Sequence, residues 1–146
     1  MMAALVGSWQ FWAVLAACFA ALTALFAKVG VQAIDPDLAT FIRTLVVVAA
    51  LAGILAATGK WRHQGAIPGS TWLFLVLSGL ATGASWICYF RALQLGEVGR
   101  VAPIDKLSVV LVALFGALFL GERLSAANWA GVMLIGAGAL LVAYRG

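Results

Sequence analysis

Among the charged residues inside stretches that are otherwise apolar enough to cross a membrane, four are candidates for chemistry: Arg43, Arg91, Asp105 and Lys106. Ionisable side chains at such depth usually face the interior of a helix bundle, pair with one another or line a water-filled path. Asp105 is the only carboxylate that the sequence places inside a span. We therefore expect it to be the counter-ion of Arg43, Arg91 or Lys106 and the candidate for proton coupling. The four residues are candidates for a gate or a binding group near one membrane face.

The alternative for these charges is that long side chains extend to the membrane surface and have no further role. Lys28, in the last turns of the first apolar stretch, fits that description best. Asp105 is too short to reach the surface in this way, and Arg43 lies deepest, about two turns into its helix. The functional interpretation is therefore favoured for these two residues.

A second pattern consists of hydroxyl and aromatic side chains on one face of the third apolar stretch. Ser78, Thr82, Ser85 and Tyr89 recur at helical spacing, and Trp86 flanks them. Such a stripe suits a cavity that holds a small amphipathic solute. Alternatively, serine and threonine allow close packing and hydrogen bond to their own backbone, as is common in membrane helices. The sequence favours neither interpretation over the other.

Five charge-poor apolar stretches must position these residues. The chain has 146 residues, of which 65% are hydrophobic and 10% charged, and its mean hydropathy is +1.11. Ordinary globular chains are about one quarter charged, so this composition indicates an integral membrane protein. A spanning helix needs about 20 mostly apolar residues. We predict one all-α domain over residues 1–146, with transmembrane helices at about 9–33, 36–58, 70–95, 101–120 and 126–144.

Local signals at the helix ends set these boundaries. Asp35 can cap the second helix, with Pro36 at its first helical position. Gly59 is a natural residue to follow the end of that helix. We expect Pro103 in the first turn of the fourth helix and Ser125 as the cap of the fifth. The connections are short, so consecutive helices should be antiparallel neighbours.

Other classes of function lack support in the sequence. The net charge of +4 is scattered, without a basic block, so nucleic acid is not an expected partner. His63 is the only histidine, and we find no phosphate-binding loop, zinc motif or nucleophile elbow. Cys18 and Cys88 fall at different depths, which argues against a disulfide within one subunit. We predict neither an enzyme nor a bound metal or cofactor.

Several motifs in the second half of the chain have a recognisable order. The stretch Gly83–Gly96 carries a Tyr-x-x-Ala-Leu pattern at Tyr89–Leu93, and a proline opens the fourth helix. A Gly-Glu-Arg-Leu turn at 121–124 and a glycine-rich fifth helix follow. Together with Arg43 in the second helix, these features resemble the EamA domain of the drug/metabolite transporter superfamily over essentially the whole chain.

The resemblance implies an architecture and a class of activity. Family members typically have ten helices, arranged as two inverted five-helix repeats, and export amino acids, metabolites or drugs. This chain has one such repeat, so two copies are expected to assemble. Its first helix contains no glutamate, and the coupling carboxylate of the small multidrug resistance transporters therefore has no counterpart here.

The distribution of basic residues bears on how two copies would assemble. With an odd number of spans, Lys60, Arg62 and Arg123 fall on one side of the membrane, against Arg100 and Arg145 on the other. The positive-inside rule needs a clear bias to fix orientation, and three against two is almost none. We therefore predict insertion in both orientations and an antiparallel homodimer, which would restore inverted-repeat symmetry.

These expectations combine into one function with one rival. We predict a multi-pass protein of the plasma (inner) membrane that exports small metabolites or drug-like solutes as a dimer, along a path lined by helices 1 to 4. Its partners would be the lipid bilayer, the small-molecule substrate and a second copy of itself. The rival is a non-transporting subunit or scaffold of a heteromeric membrane complex, in which the charges pair statically.

Overall fold

A computed structural model of the chain describes residues 7–61 and 66–144, and every regular element in these ranges is an α-helix. The helices are α1 (Trp9–Gly30), α2 (Pro36–Ala57), α3 (Gly69–Leu95), α4 (Val98–Asp105), α5 (Ser108–Phe119) and α6 (Ala126–Ala143). Five stretches are long and apolar enough to cross a membrane, the fourth being Val98–Phe119, which contains α4 and α5. The predicted number of spans is confirmed. Arg62, His63 and Arg145, which entered the sequence argument, lie outside the described residues.

The helices divide into two compact units. Residues 27–94 form the first, called here the α2–α3 unit, which contains the end of α1 with all of α2 and nearly all of α3. The chain before Ala27 and after Gln94 forms the second, called the α4–α6 unit. The four charged candidate residues are shared equally between them, because 43 and 91 fall in the first unit and 105 and 106 in the second.

The ends of α2 are fixed by two local structures that the sequence predicts. Asp35 Oδ1 accepts hydrogen bonds from the backbone N–H groups of Asp37 and Leu38 at 2.8 and 3.2 Å, which caps the helix, and Pro36 is its first residue. At the other end Gly59 has a φ of +66°, a left-handed conformation that favours glycine. The N–H of Lys60 bonds the carbonyl of Leu55 at 3.1 Å, which satisfies a helix-terminal carbonyl. Both predicted ends of α2 are confirmed.

Within the α2–α3 unit, α2 and α3 run antiparallel. Asp37 near the start of α2 meets Arg91 near the end of α3, and Arg43, further along α2, meets Trp86, further back along α3. The most completely buried side chains of the described residues, Val31 and Leu93, also belong to this unit. The antiparallel arrangement brings the charged end of α2 to the charged end of α3.

In the α4–α6 unit, α6 packs against both α4 and α5. Gly136 and Ala139 of α6 are buried, and a Cβ atom at Gly136 would lie only 3.2 Å from Val110 Cγ2 of α5. Ser125 Oγ accepts a hydrogen bond from the N–H of Asn128 at 3.2 Å, which confirms the predicted cap of α6. Small residues thus allow α6 to approach α5 closely.

The fourth span differs from its prediction at both its start and its middle. It begins at Val98 rather than near residue 101, so Pro103 lies in the second helical turn, and the expected first-turn position is wrong. Proline lacks an N–H group and interrupts the regular hydrogen bonding. Beyond it, Lys106 N–H bonds the carbonyl of Pro103 and Leu107 N–H that of Ile104, both at 3.0 Å. These shorter-range bonds form a tight turn that separates α4 from α5.

Candidate functional site

Arg91 of α3 is paired with a carboxylate that the sequence analysis did not consider as a partner. Its Nη2 group donates to Asp37 Oδ2 at 2.8 Å and to Oδ1 at 3.1 Å. Both side chains are about half exposed. Asp37 lies within the second span, so the expectation that Asp105 is the only carboxylate inside a span is wrong. Asp37 follows Asp35 and Pro36, a pair typical of a turn, and this sequence context hides its place inside the span. Its place in the first helical turn, at the same end of the bundle as Arg91, was the available signal.

Asp105 pairs with Lys106, one of the three partners proposed for it. Lys106 Nζ donates to Asp105 Oδ2 at 3.1 Å, and both side chains are partly exposed. The two residues lie at the end of α4, next to the tight turn in the fourth span. Because they are adjacent in sequence, this pair links no two helices, in contrast to the pair formed by Asp37 and Arg91.

Arg43 of α2 stacks on an aromatic ring instead of pairing with a carboxylate. Its guanidinium carbon lies 3.4 Å from the centre of the Trp86 ring and 5.9 Å from that of Phe90. Such cation–π contacts are worth about 0.5–1 kcal/mol at exposed sites and more where water is excluded. Trp86 is held by edge-on contacts to Tyr89 and Phe90, each with ring centres 5.5 Å apart. Two predicted site residues, Arg43 and Trp86, are thus in direct contact.

The hydroxyl groups on α3 divide between the two interpretations left open by the sequence. Thr82 Oγ1 donates to the backbone carbonyl of Ser78 at 2.8 Å, as expected for a hydroxyl that satisfies its own helix. The hydroxyls of Ser78 and Ser85 have no hydrogen-bond partner within residues 7–61 and 66–144. All three side chains are exposed on the protomer. A cavity lined by this face remains a prediction.

Two further polar contacts tie the end of α1 to the end of α3. Lys28 Nζ donates to the carbonyl of Leu93 at 2.6 Å, and Gln94 Nε2 donates to the carbonyl of Val31 at 3.3 Å. Lys28 therefore bonds inside the protein, and the expectation that it only reaches the membrane surface is wrong. A cation near the C-terminus of α3 also complements the helix dipole. The sequence signal was its distance of only a few residues from the turn that follows α1.

No group of three or more histidine, cysteine, aspartate or glutamate side chains that could hold a metal ion occurs among the described residues. The chemistry of the region therefore rests on guanidinium, carboxylate, hydroxyl and aromatic groups. In the α2–α3 unit these groups can bind a small polar or charged solute.

Comparison with known proteins gives a consistent family assignment. Residues 7–144 match the EamA-like transporter family. A protein of Sinorhizobium sp named "uncharacterized transporter in cobO 3′ region" is 66% identical over 136 residues, which cover 93% of this chain and 96% of that protein. "Uncharacterized transporter YxxF" of Bacillus subtilis (strain 168) is 29% identical over 145 residues, and the match covers 97% of this chain but only 44% of that relative. No solved structure shows significant similarity.

Proposed function

The chain belongs to the EamA-like transporter family, and from this premise we propose that two copies form an exporter of small metabolites or drug-like solutes. The observation that carries the proposal is length. The chain spans essentially all of its Sinorhizobium relative but less than half of its Bacillus relative. A second copy would supply a counterpart to the part of the longer relative that this chain does not match. The family and the transporter names of its relatives also point to a membrane protein without enzymatic activity.

Burial within the protomer leaves most of each span to be covered by lipid or by further protein. In each of the five spans, only 6–11% of the most apolar window is buried. Transmembrane helices associate through small residues and polar contacts, because lipid tails are as apolar as leucine. The face of α6 that carries Ala127, Gly131 and Gly138 has small residues, and a Cβ atom at either glycine would meet nothing within 4 Å. We propose this face as part of the dimer contact.

We propose that the two copies are antiparallel, in the plasma (inner) membrane. The nearly equal numbers of basic residues on the two sides would allow insertion in both orientations. Inverted halves allow one half to rock against the other and to exchange the open side. A parallel dimer would put the charged candidate residues of both copies at one membrane face and leave the other face without a gate.

Cysteine labelling in intact cells tests the orientation. In a Cys18→Ala/Cys88→Ala background, Ala66→Cys places a thiol at an exposed coil position before α3. An antiparallel dimer predicts two populations, of which only one reacts with a membrane-impermeant reagent. Gln32→Cys, an exposed position after α1, should give the complementary fractions. Complete reaction at one site and none at the other would show a single orientation.

Accessibility along α3 tests whether its hydroxyl face lines a path. Cysteines at Ser78, Thr82 and Ser85 should react with water-soluble thiol reagents in the same background, whereas cysteines at Leu77 and Leu80 should be protected by lipid. Equal protection at all five positions would show that this face meets protein or lipid.

Purified protein placed in liposomes tests the transport activity itself. Solute movement by a homodimer supports the transporter. Obligate co-purification with a different polypeptide supports a subunit of a larger complex.

A further inference from the structure

Arg43 is a cation inside a membrane span without a carboxylate partner among the described residues. It lies about 10 Å along the axis of α2 from Pro36, at 1.5 Å per residue. The only acidic residues in the α2–α3 unit are Asp35 and Asp37. Asp37 is engaged by Arg91, and Asp35 caps α2 through two backbone N–H groups. Neither is left to neutralise Arg43.

The stacking of Arg43 on Trp86 holds the guanidinium group in a defined orientation. At 3.4 Å from the ring centre, the guanidinium carbon lies in van der Waals contact with the aromatic face. A guanidinium group that stacks in this way keeps its N–H donors at its edge, in its own plane. None of these donors meets an acceptor within residues 7–61 and 66–144. The edge of Arg43 is therefore available to a ligand.

The ring beneath Arg43 is itself fixed in place. Trp86 contacts Tyr89 and Phe90 edge-on, and Phe90 is only 3% exposed. An aromatic platform that is packed against its own helix costs a ligand little ordering entropy. The hydroxyls of Ser78 and Ser85, which bond no described residue, lie on the same helix as this platform.

We propose that the edge of Arg43 binds the carboxylate of a small organic anion whose apolar body lies along the aromatic and hydroxyl face of α3. The planar fork of arginine matches the two oxygens of a carboxylate in a bidentate arrangement. A ligand carboxylate would also neutralise a cation that is costly to leave uncompensated within a membrane. The inference rests on the proposed transport function and assigns its substrate class.

Matched ligands that differ only in charge give the most direct test. The thermal unfolding of the purified protein in a neutral detergent at pH 7 should be followed with benzoate, benzamide and benzylamine, and then with hexanoate, hexanamide and hexylamine. Binding to the folded state raises the apparent unfolding temperature, because it adds a stabilisation that grows with the logarithm of ligand concentration relative to Kd. We expect both carboxylates to raise it, and the amides and amines to leave it unchanged.

Variants locate the response at Arg43. In Arg43→Gln the half-maximal concentration of carboxylate should rise by about tenfold or more, as expected when a charge-assisted bidentate pair is lost. Arg43→Lys should retain a weaker response, since a point charge replaces the fork. Trp86→Leu, which keeps the charge and removes the platform, should also weaken the response. Lys60→Gln removes an equal charge outside the spans and should respond like the unaltered protein.

The outcomes separate this inference from the transport proposal. A carboxylate response that persists in Arg43→Gln overturns the assignment of the site, and so does the absence of any response to either carboxylate. Stabilisation by phosphatidylglycerol alone, lost in Arg43→Gln, would show a lipid headgroup site instead. In each of these cases, movement of a cationic or neutral solute into liposomes would leave the transporter proposal intact, whereas failure to move any solute would overturn that proposal too.

Discussion

The two units of this chain hold their helices together by different means. In the α2–α3 unit, polar and aromatic contacts link the helices: Asp37 with Arg91, Arg43 with Trp86, and Lys28 with a backbone carbonyl. The buried side chains of Val31 and Leu93 add apolar packing. In the α4–α6 unit, a glycine brings α6 against Val110 of α5 at close range. Because the lipid supplies no hydrophobic drive between helices, these are the two available solutions.

The difference indicates that the two units have different roles in transport and in stability. Polar contacts between helices can be exchanged for contacts with a solute, because each group retains hydrogen-bonding or charge complementarity after the exchange. Close packing at glycine has no such alternative partner and favours one arrangement. We therefore expect substitutions in the α2–α3 unit to affect transport first, and substitutions in the α4–α6 unit to affect stability first.

The largest loss of stability is expected when the close packing of α6 is disturbed. Gly136→Leu forces a side chain toward Val110, and overpacking of this kind costs about 1–3 kcal/mol. The unfolding temperature of the purified protein should fall accordingly. Gly131→Leu, on the open face of the same helix, is the matched control: it should keep the protomer folded while reducing the dimer fraction measured by light scattering. Equal unfolding temperatures for Gly136→Leu and the unaltered protein would contradict the packing account.

The ion pair between α2 and α3 should matter more for transport than for stability. Asp37→Asn leaves Arg91 without its carboxylate, and we expect the rate of solute movement into liposomes to drop several-fold. Much of the effect of breaking such a pair comes from the charge left behind. Neutralising it with Arg91→Gln in the same chain should therefore restore part of the rate.

The pair in the other unit supplies the comparison. Asp105 and Lys106 are adjacent and connect no two helices, so Asp105→Asn should reduce transport less than Asp37→Asn does. Partial rescue by Lys106→Gln is expected here as well. If Asp105→Asn alone abolishes transport, the charges required for transport lie in the α4–α6 unit, and the proposed roles of the two units are reversed.

A smaller effect is expected at the turn that ends α2. Alanine at Gly59 must adopt a φ near +66°, and a left-handed conformation costs a residue with a Cβ atom about 1 kcal/mol. The unfolding temperature of Gly59→Ala should fall slightly, with transport retained. Gly53→Ala lies inside α2, with nothing within 4 Å of the new Cβ atom, and its unfolding temperature should not fall. Similar losses in both variants would mean that the cost arises elsewhere than from the turn conformation.

The sequence predicts features that depend on residues close together in the chain, and it does not predict contacts between residues far apart in it. The caps at Asp35, Gly59 and Ser125 depend on residues within about one helical turn of each other, and each span depends on one continuous stretch of about 20 apolar residues. All of these features are found. The partner of Arg91 is 54 residues away, and charge alone did not distinguish Asp37 from Asp105. Stacking of Arg43 on Trp86 was not predicted, although both residues were singled out, because their contact depends on the register between α2 and α3.

Packing inside the α4–α6 unit shows the same limit, since small residues occur on more than one face of α6. Ala127, Gly131 and Gly138 lie on one face, whereas the face that meets α5 contains Gly136. The spacing of small residues along one helix cannot identify which of two faces meets a neighbour. That choice depends on where Val110 of α5 lies relative to α6.

The smallest effect is expected at Gly116, where a helix meets the side chain of its own following turn. A Cβ atom there would lie 2.7 Å from Glu122 Oε2, but this oxygen is at the free end of a flexible side chain and can move. The backbone bond from Glu122 N–H to the Gly116 carbonyl, 3.1 Å long, needs no change. Alanine is about 0.8–1 kcal/mol more favourable than glycine inside a helix. This gain offsets the displacement of Glu122, so Gly116→Ala should change the free energy of unfolding by only a few tenths of a kcal/mol. In a Glu122→Ala background the same substitution should stabilise the protein by up to about 1 kcal/mol, because contacting residues have non-additive effects. A large loss in both backgrounds would show that Gly116 packs against something bulkier than Glu122, and the face of α5 would then belong with Gly136 as a site of close helix contact.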